Sequence, residues 1–193
     1  MRVICFGDSN TFGYDPRSYF GGRYPAEHRW VDLLSRKTGW EIGNAGENGR
    51  GIPGHEREIG QIIRMVEEWR PDRFVVMLGS NDLLQGADVD AVTARMEGFL
   101  TRLPLEKDRI LLIAPPPMEP GEWVTEPRLI PASKQLAQRY QSLALRLGVG
   151  FADAGRWGVS LTYDGVHFTE EGHMAFSDGI YRCLNGEKEK EGC

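Results

Sequence analysis

The sequence has few cysteines, no long apolar run and no excess of basic residues, and each shortage excludes a class of protein. Its three cysteines, Cys5, Cys183 and Cys193, are odd in number and far apart, which fits neither a disulfide framework nor a zinc motif. No stretch approaches the roughly 20 apolar residues that span a bilayer. Lys and Arg number 23 against 28 Asp and Glu, for a formal charge of -5, so a nucleic-acid-binding surface is not expected as the main function.

The amino-terminal segment and the composition favour a cytoplasmic protein. The apolar run from Val3 to Phe6 turns polar at Gly7 and Asp8, so it is too short for the hydrophobic region of a secretory signal. Hydrophobic residues make up 40% of the chain and charged residues 26%, which is ordinary for a globular protein. We therefore expect a reduced, cytoplasmic protein whose partner is a small molecule, with no membrane span and no nucleic acid.

Apolar runs alternate with amphipathic stretches along the chain, which predicts a repeating strand and helix arrangement. Strands are predicted at residues 2–6, 40–44, 73–79, 109–114 and 150–153. Helices are predicted at residues 25–37, 54–69, 89–103, 128–147 and 170–184. We expect an α/β fold of three α/β/α layers, with a five-stranded, mostly parallel sheet of flavodoxin-like order. A single domain is expected over residues 1–185, followed by a flexible charged tail at 186–193.

Polar residues that carry chemistry follow the predicted strands. Ser9 ends the first strand within Gly-Asp-Ser, and Asn81 ends the third within Gly-Ser-Asn-Asp. Asp164 and His167 lie three residues apart, just before the last predicted helix. Because open α/β sheets bind ligands at the carboxyl ends of their strands, we expect these side chains to lie at one edge of the sheet.

These residue types suit a serine nucleophile. A serine hydroxyl attacks efficiently only when a base takes its proton, and His167 can serve as that base, with Asp164 orienting the imidazole. The oxyanion of a tetrahedral intermediate needs hydrogen-bond donors, for which the Ser9 N–H, the Gly49 N–H and the Asn81 side chain are candidates. Taken alone, each of these features also has a structural explanation: the segment around Ser9 as a turn, Gly49 as a flexible turn, and Asn81 as a helix cap. Their joint position at strand ends is what favours catalysis.

As a set, these segments resemble the SGNH (GDSL-type) serine hydrolase family, which is marked by blocks centred on Ser, Gly, Asn and His. The matching blocks are Gly7-Asp8-Ser9, Asn44 with Gly49, Gly79-Ser80-Asn81-Asp82 and Asp164-Gly165-Val166-His167. The resemblance covers nearly the whole chain and implies the SGNH-hydrolase fold, a triad of Ser9, Asp164 and His167, and an oxyanion hole from Ser9, Gly49 and Asn81. It implies no metal and no cofactor. The bacterial arylesterase and acyltransferase branch is the most similar part of the family.

Two positions depart from the family pattern. Asn10 follows the nucleophile where the signature has leucine, and asparagine precedes Gly49 where members often carry serine. Gly46 and Gly51 therefore stay open as alternatives to Gly49 in the oxyanion hole. Asn10 is a candidate substrate-binding residue. Trp123 in the proline-rich segment is another, with simple loop packing as the alternative for it.

The sequence thus predicts a serine esterase acting on small esters through an acyl-enzyme, with acetyl favoured because no large apolar insertion is present. Carbohydrate deacetylation and arylesterase activity both fit this prediction. Acyl transfer, thioesterase or lysophospholipase activity on the same triad is the alternative that the family allows. Two alternatives from other classes are a metal-assisted hydrolase with Asp8, Asp164 and His167 as ligands, and a binding module that has lost the reaction. A homo-oligomer is a further possibility, in which the proline-rich loop packs against a neighbouring subunit.

Overall fold

A computed structural model describes residues 1–18 and 22–186 of the chain. It contains the strands β1 (Arg2–Gly7), β2 (Glu41–Gly46), β3 (Arg73–Met77), β4 (Ile110–Ala114) and β5 (Gly150–Asp153). They form one sheet in the order β2-β1-β3-β4-β5, and all four pairings are parallel. The expected five-stranded α/β architecture and its flavodoxin-like order are confirmed, with a sheet that is wholly parallel.

Seven α-helices occur within the described residues, and five of them correspond to predicted helices. They are α1 (Ser9–Phe12), α2 (Trp30–Thr38), α3 (Glu56–Trp69), α4 (Ser80–Leu84), α5 (Val89–Arg102), α6 (Leu129–Leu147) and α7 (Glu170–Leu184). The short helices α1 and α4 are additional to the prediction. The helix predicted over 25–37 starts at Trp30 instead, because Arg29 is extended and only a 3-10 turn at Ala26–His28 precedes it.

Alternation of side chains along the central strands produces the three layers. In β1, Ile4 and Phe6 pack on the side covered by α3, α5 and α6, whereas Val3 and Cys5 pack on the side covered by α2 and α7. The strands β3 and β4 divide their apolar side chains between the same two clusters. Strands that are buried on both faces appear in a sequence as uninterrupted apolar runs, and β1, β3 and β4 have this pattern.

The order of the sheet determines where a ligand can bind. The chain passes from β1 to β2 on one side of β1 and then crosses to β3 on the other side, so the connections diverge beside β1. A crevice at the carboxyl ends of the strands is expected at such a point. Ser9, Gly49 and Asn81 follow β1, β2 and β3 respectively and therefore meet there.

The predicted flexible tail at residues 186–193 lies, apart from Gly186, outside the described residues. The predicted domain boundary at residue 185 stays a prediction. Within the described ranges, none of the helices combines the length and apolar character needed to cross a membrane.

Candidate active site

Ser9 is the first residue of α1, which begins almost directly after β1. Asp8 caps this helix by accepting a hydrogen bond at 3.0 Å from a backbone N–H of its first turn. The turn requires glycine at position 7, because a Cβ on Gly7 would lie 2.1 Å from Thr11 Oγ1 and 2.9 Å from the Met77 carbonyl oxygen. The Gly-Asp-Ser sequence therefore turns the chain sharply and holds the Ser9 hydroxyl at the carboxyl edge of the sheet.

A tight turn before α7 brings Asp164 and His167 together. His167 Nδ1 lies 2.7 Å from Asp164 Oδ2, and Asp164 Oδ1 accepts the backbone N–H groups of Val166 and His167, each at 2.9 Å. Burial by itself would raise the pKa of Asp164, but hydrogen bonds from the His167 ring and these two N–H groups outweigh burial and lower the pKa to about 2. Asp164 is therefore ionised at neutral pH and favours the tautomer of His167 that carries its proton on Nδ1.

The other ring nitrogen of His167 faces Ser9. The two residues are 158 positions apart in the sequence, yet His167 Nε2 lies 2.9 Å from Ser9 Oγ. Since Nδ1 carries the ring proton, Nε2 is an acceptor and the Ser9 hydroxyl donates to it. The structure thus joins Asp164, His167 and Ser9 in one hydrogen-bonded chain.

Two aromatic rings flank the imidazole. The ring centroids of Tyr14 and Trp123 each lie 4.8 Å from that of His167, and the Trp123 ring meets it edge to face. Trp123 is 49% exposed, so it forms a wall of the site and is not a core residue. Its backbone N–H donates to the Asp164 carbonyl oxygen at 3.1 Å, which fastens the proline-rich segment to the turn that carries the acid and the base.

These groups open onto a cleft of about 200 Å³. The residues that line the cleft are Ser9, Tyr14, Asn48, Gly49, Asn81, Trp123 and His167. Sites for drug-sized ligands typically occupy about 300 to 1,000 Å³, so this cleft suits a small group. A larger depression of about 450 Å³ lies around Arg17 and Glu170, but it contains neither the serine nor the histidine.

Of the three glycines considered for the oxyanion hole, Gly49 lines the cleft. It adopts a φ of +74°, which glycine tolerates without strain, and no heavy atom lies within 4 Å of the place a Cβ would take. The Gly46 N–H, in contrast, already donates to Asn44 Oδ1 at 2.9 Å. A Cβ on Gly51 would lie 3.3 Å from Oδ2 of the buried Asp82 carboxylate.

Helix α4 places Asn81 across the cleft from Ser9. Asn81 Nδ2 donates one hydrogen bond to the Arg50 carbonyl oxygen at 2.9 Å, and an amide group has a second hydrogen to offer a ligand. Arg50 is itself fixed, since its guanidinium donates to the Gly7 carbonyl oxygen at 3.0 Å and lies 4.3 Å from the centroid of the Phe6 ring. Arg50 therefore connects the loop after β2 to the carboxyl end of β1.

Asn10, the other candidate for substrate binding, does not line the cleft. Its Oδ1 accepts the Phe168 N–H at 2.9 Å, and its Nδ2 donates to the Val166 carbonyl oxygen at 3.1 Å. The side chain is buried, and the structure directs its amide to the backbone around the histidine.

Asp8 is buried beside Ser9 and belongs to the alternative of a metal site. Burial raises the pKa of Asp8 to about 6, against the opposing effects of the N–H of Asn10 and the charge of Arg50. Within residues 1–18 and 22–186, no group of three or more His, Cys, Asp or Glu side chains is arranged to hold a metal ion. Both ring nitrogens of His167 already take part in the chain from Asp164 to Ser9.

Tyr14 and Asn48 line the cleft although neither was predicted as a site residue. Tyr14 lies in the aromatic-rich segment five residues after Ser9, and Asn48 directly precedes Gly49. Their closeness in sequence to Ser9 and to Gly49 is the feature by which they could have been predicted.

Comparison with known proteins gives matches to one family and to its structures. The sequence profile described as the GDSL-like lipase/acylhydrolase family matches residues 5–175. No curated protein sequence matches the chain. A candidate arylesterase from Agrobacterium tumefaciens str. C58 is 28% identical and has a TM-score of 0.83, over 96% of this chain and 98% of that one. A carbohydrate acetylesterase family member from Sinorhizobium meliloti is 27% identical with a TM-score of 0.78, over 96% of this chain and 97% of that one.

Proposed function

The chain belongs to the GDSL-like lipase/acylhydrolase family and is a serine ester hydrolase, and from this premise we propose its substrate and mechanism. The enzyme hydrolyses short-acyl esters, with acetyl as the preferred acyl group, through an acyl-enzyme on Ser9. The observation that carries this proposal is the chain of hydrogen bonds from Asp164 through His167 to Ser9, of 2.7 and 2.9 Å, which opens onto a small cleft.

The acylation step follows from this geometry. His167 Nε2 takes the hydroxyl proton as Ser9 Oγ forms a bond to the ester carbonyl carbon, and Asp164 stabilises the resulting imidazolium. The tetrahedral intermediate then collapses, the bond from carbon to the alcohol oxygen breaks, and the proton on Nε2 passes to the departing alcohol. Positioned proton transfer of this kind contributes roughly 100- to 10,000-fold in rate.

Three donors are proposed to stabilise the oxyanion that forms in this step. The backbone N–H of Ser9 lies at the amino terminus of α1, where helical N–H groups have no intrahelical acceptor. The N–H of Gly49 and the second amide hydrogen of Asn81 come from the other walls of the cleft. Removing one such donor typically costs roughly 100- to 1,000-fold in kcat.

Deacylation uses the same groups in reverse. Water occupies the place of the departed alcohol, His167 Nε2 takes its proton, and the hydroxide oxygen forms a bond to the acyl carbon. The bond between that carbon and Ser9 Oγ then breaks, and the proton returns to Oγ. No step requires a metal ion or a cofactor.

The size of the cleft supports a short acyl group. A volume of about 200 Å³ between Tyr14 and Trp123 accepts acetyl readily, and the aromatic walls suit a flat alcohol or the apolar face of a sugar. The similar structures described as a candidate arylesterase and as a carbohydrate acetylesterase family member support these two kinds of alcohol. We therefore propose aryl or carbohydrate acetates as the substrate class.

Hydrolysis of p-nitrophenyl esters from acetyl to octanoyl tests this proposal directly. The parent protein should hydrolyse the acetyl ester best, and Ser9→Ala should lose at least roughly 1,000-fold in kcat. Ser142→Ala, which removes an exposed serine on α6, serves as the control and should keep the parent rate. Equal rates in Ser9→Ala and the parent would refute the serine mechanism. A preference for the octanoyl ester would refute only the proposed preference for a short acyl group.

The location and the assembly are separate proposals. We propose a cytoplasmic enzyme, because the chain has an ordinary globular composition and only three cysteines. We also propose a homo-oligomer, in which the loop at residues 115–127 narrows the cleft of a neighbouring subunit. Sedimentation at assay concentration tests the second proposal, since a fully active monomer would contradict it.

A further inference from the structure

The side chain of Asn10 joins the helix that carries the nucleophile to the backbone on both sides of the catalytic base. Its Nδ2 donates to the Val166 carbonyl oxygen at 3.1 Å, and its Oδ1 accepts the Phe168 N–H at 2.9 Å. The residues joined are 156 and 158 positions apart in the sequence, and the Asn10 side chain is 5% exposed. One amide group therefore spans His167, the residue between these two partners.

The two contacts require an amide in one orientation. A backbone carbonyl oxygen only accepts and a backbone N–H only donates, so the side chain must offer one donor and one acceptor side by side. An ionised Asp at position 10 would offer acceptors only, and a Leu would offer neither. Loss of these contacts would leave the buried Val166 carbonyl oxygen and the buried Phe168 N–H without hydrogen-bond partners.

The other backbone groups of this segment are held from different directions. The His167 N–H donates to Asp164 Oδ1 at 2.9 Å, and the His167 carbonyl oxygen accepts the Thr162 N–H at 2.7 Å. Both contacts lie within the turn, and neither involves α1, which carries Ser9. The Asn10 amide, in contrast, joins α1 to the backbone of this segment through two hydrogen bonds.

The backbone of Asn10 is equally constrained. Its carbonyl oxygen accepts the Trp30 Nε1–H at 3.0 Å, and its N–H donates to Asp8 Oδ1 at 3.0 Å. A displacement of the Asn10 side chain is therefore not absorbed by movement of its own backbone. The amide acts as a rigid spacer between two elements that carry reacting groups.

We propose that Asn10 is a positioning residue that sets the distance between Ser9 Oγ and His167 Nε2. The inference rests on the proposed function, because this distance matters only if the two atoms exchange a proton. The two contacts of the Asn10 amide and the hydrogen bond from Ser9 Oγ to His167 Nε2 all join α1 to the segment around His167. Together they hold Ser9 Oγ and His167 Nε2 2.9 Å apart. A misplacement of about 1 Å in a reacting pair can cost on the order of 100-fold in rate.

Two substitutions and one control test the proposal. Asn10→Leu removes both contacts in a similar volume, and Asn10→Asp keeps the acceptor for Phe168 N–H while removing the donor at neutral pH. Thr38→Val is the matched control, because the Thr38 hydroxyl also makes two contacts to backbone, at 2.7 and 3.1 Å, but at the carboxyl end of α2, far from the cleft. Each protein is compared by urea unfolding, by kcat and KM for p-nitrophenyl acetate on the alkaline plateau, and by the rate of Ser9 labelling with a fluorophosphonate.

We expect Asn10→Leu to lower kcat and the labelling rate by roughly 10- to 100-fold, with KM changed by less than about three-fold. Asn10→Asp should fall between Asn10→Leu and the parent. Thr38→Val should lose stability while its kcat stays within about two-fold of the parent. A folded Asn10→Leu protein that keeps parent kcat and labelling rate would overturn the proposal, and if that variant does not fold, parent rates in Asn10→Asp would overturn it.

The same proteins separate failure of this inference from failure of the proposed function. A parent protein that neither hydrolyses esters nor reacts with the fluorophosphonate would refute the serine mechanism. In that case the exchange rate of the His167 Nδ1 proton, followed by NMR, still tests the amide contacts, since it does not depend on turnover. Faster exchange in Asn10→Leu than in the parent supports the positioning role, and equal exchange in the two proteins contradicts it.

Discussion

Replacing Asp8 by asparagine is predicted to remove a pH dependence of stability that originates beside the nucleophile. Asp8 is 2% exposed, and burial raises its pKa from 3.8 to about 6. Between about pH 4 and pH 6 the folded protein therefore keeps a proton that the unfolded chain has lost. The contribution of Asp8 to the free energy of unfolding is largest below this window and falls as the pH rises through it, reaching a constant penalty above about pH 6.

The size of this effect follows from the difference between the two pKa values. They differ by about two pH units, which corresponds to a penalty of about 3 kcal/mol at pH 7. Asparagine has the same shape as aspartate and keeps an Oδ1 acceptor for the Asn10 N–H. Asp8→Asn should therefore become more stable relative to the parent as the pH rises from about 4 to 7, by up to about this amount.

Urea unfolding between pH 4 and pH 8 measures the prediction. Asp108→Asn is the control, because Asp108 is an exposed carboxylate at the opposite edge of the sheet, just before β4. Its free energy of unfolding should follow the parent curve throughout. If the difference in free energy of unfolding between Asp8→Asn and the parent is the same at pH 4 and at pH 7, Asp8 does not titrate as described.

Four other substitutions test separate parts of the site. Asp164→Asn should lower kcat for p-nitrophenyl acetate by roughly 1,000-fold or more, because an amide favours the wrong tautomer of His167, and a loss below about ten-fold would contradict the assigned role. Gly46→Ala should unfold at much lower urea than the parent, since its Cβ would lie 2.1 Å from the Phe12 nitrogen. Gly49→Ala has open space and should lose only roughly 1 to 2 kcal/mol to its positive φ, so equal losses for the two glycines would contradict the geometry. Trp123→Ala should raise KM for the acetyl ester and flatten the preference among acyl lengths, and an unchanged profile would show that Trp123 does not contact substrate.

Much of the sheet could be predicted because strands buried on both faces appear in the sequence as short, uninterrupted apolar runs. The strand predicted over residues 73–79 ends at Met77 because the chain turns into α4 through Gly79, whose φ is +121°. The helices α1 and α4 have only four and five residues, too few for a hydrophobic period to be visible. In the sequence they resemble the turns that usually follow such strands.

The candidate site could be predicted where its residues fall in short local blocks. Asp164 and His167 share one turn, and Ser9 and Asn81 each follow a strand, so local pattern was sufficient to propose them. The placement of Asn10 depends on partners more than 150 residues away, which no local pattern specifies. The choice among Gly46, Gly49 and Gly51 likewise depends on which N–H groups the fold has already used.

The mass of the protein, quenched in acid during turnover of p-nitrophenyl acetate, reports the acyl-enzyme itself. We expect a fraction of the parent to gain the mass of one acetyl group, and peptide mapping to place that group on Ser9. Asp164→Asn, with impaired base catalysis, should acquire this group more slowly, and Ser9→Ala should not acquire it at all. An acetyl group on another residue, or undiminished turnover by Ser9→Ala without any adduct, would contradict the account.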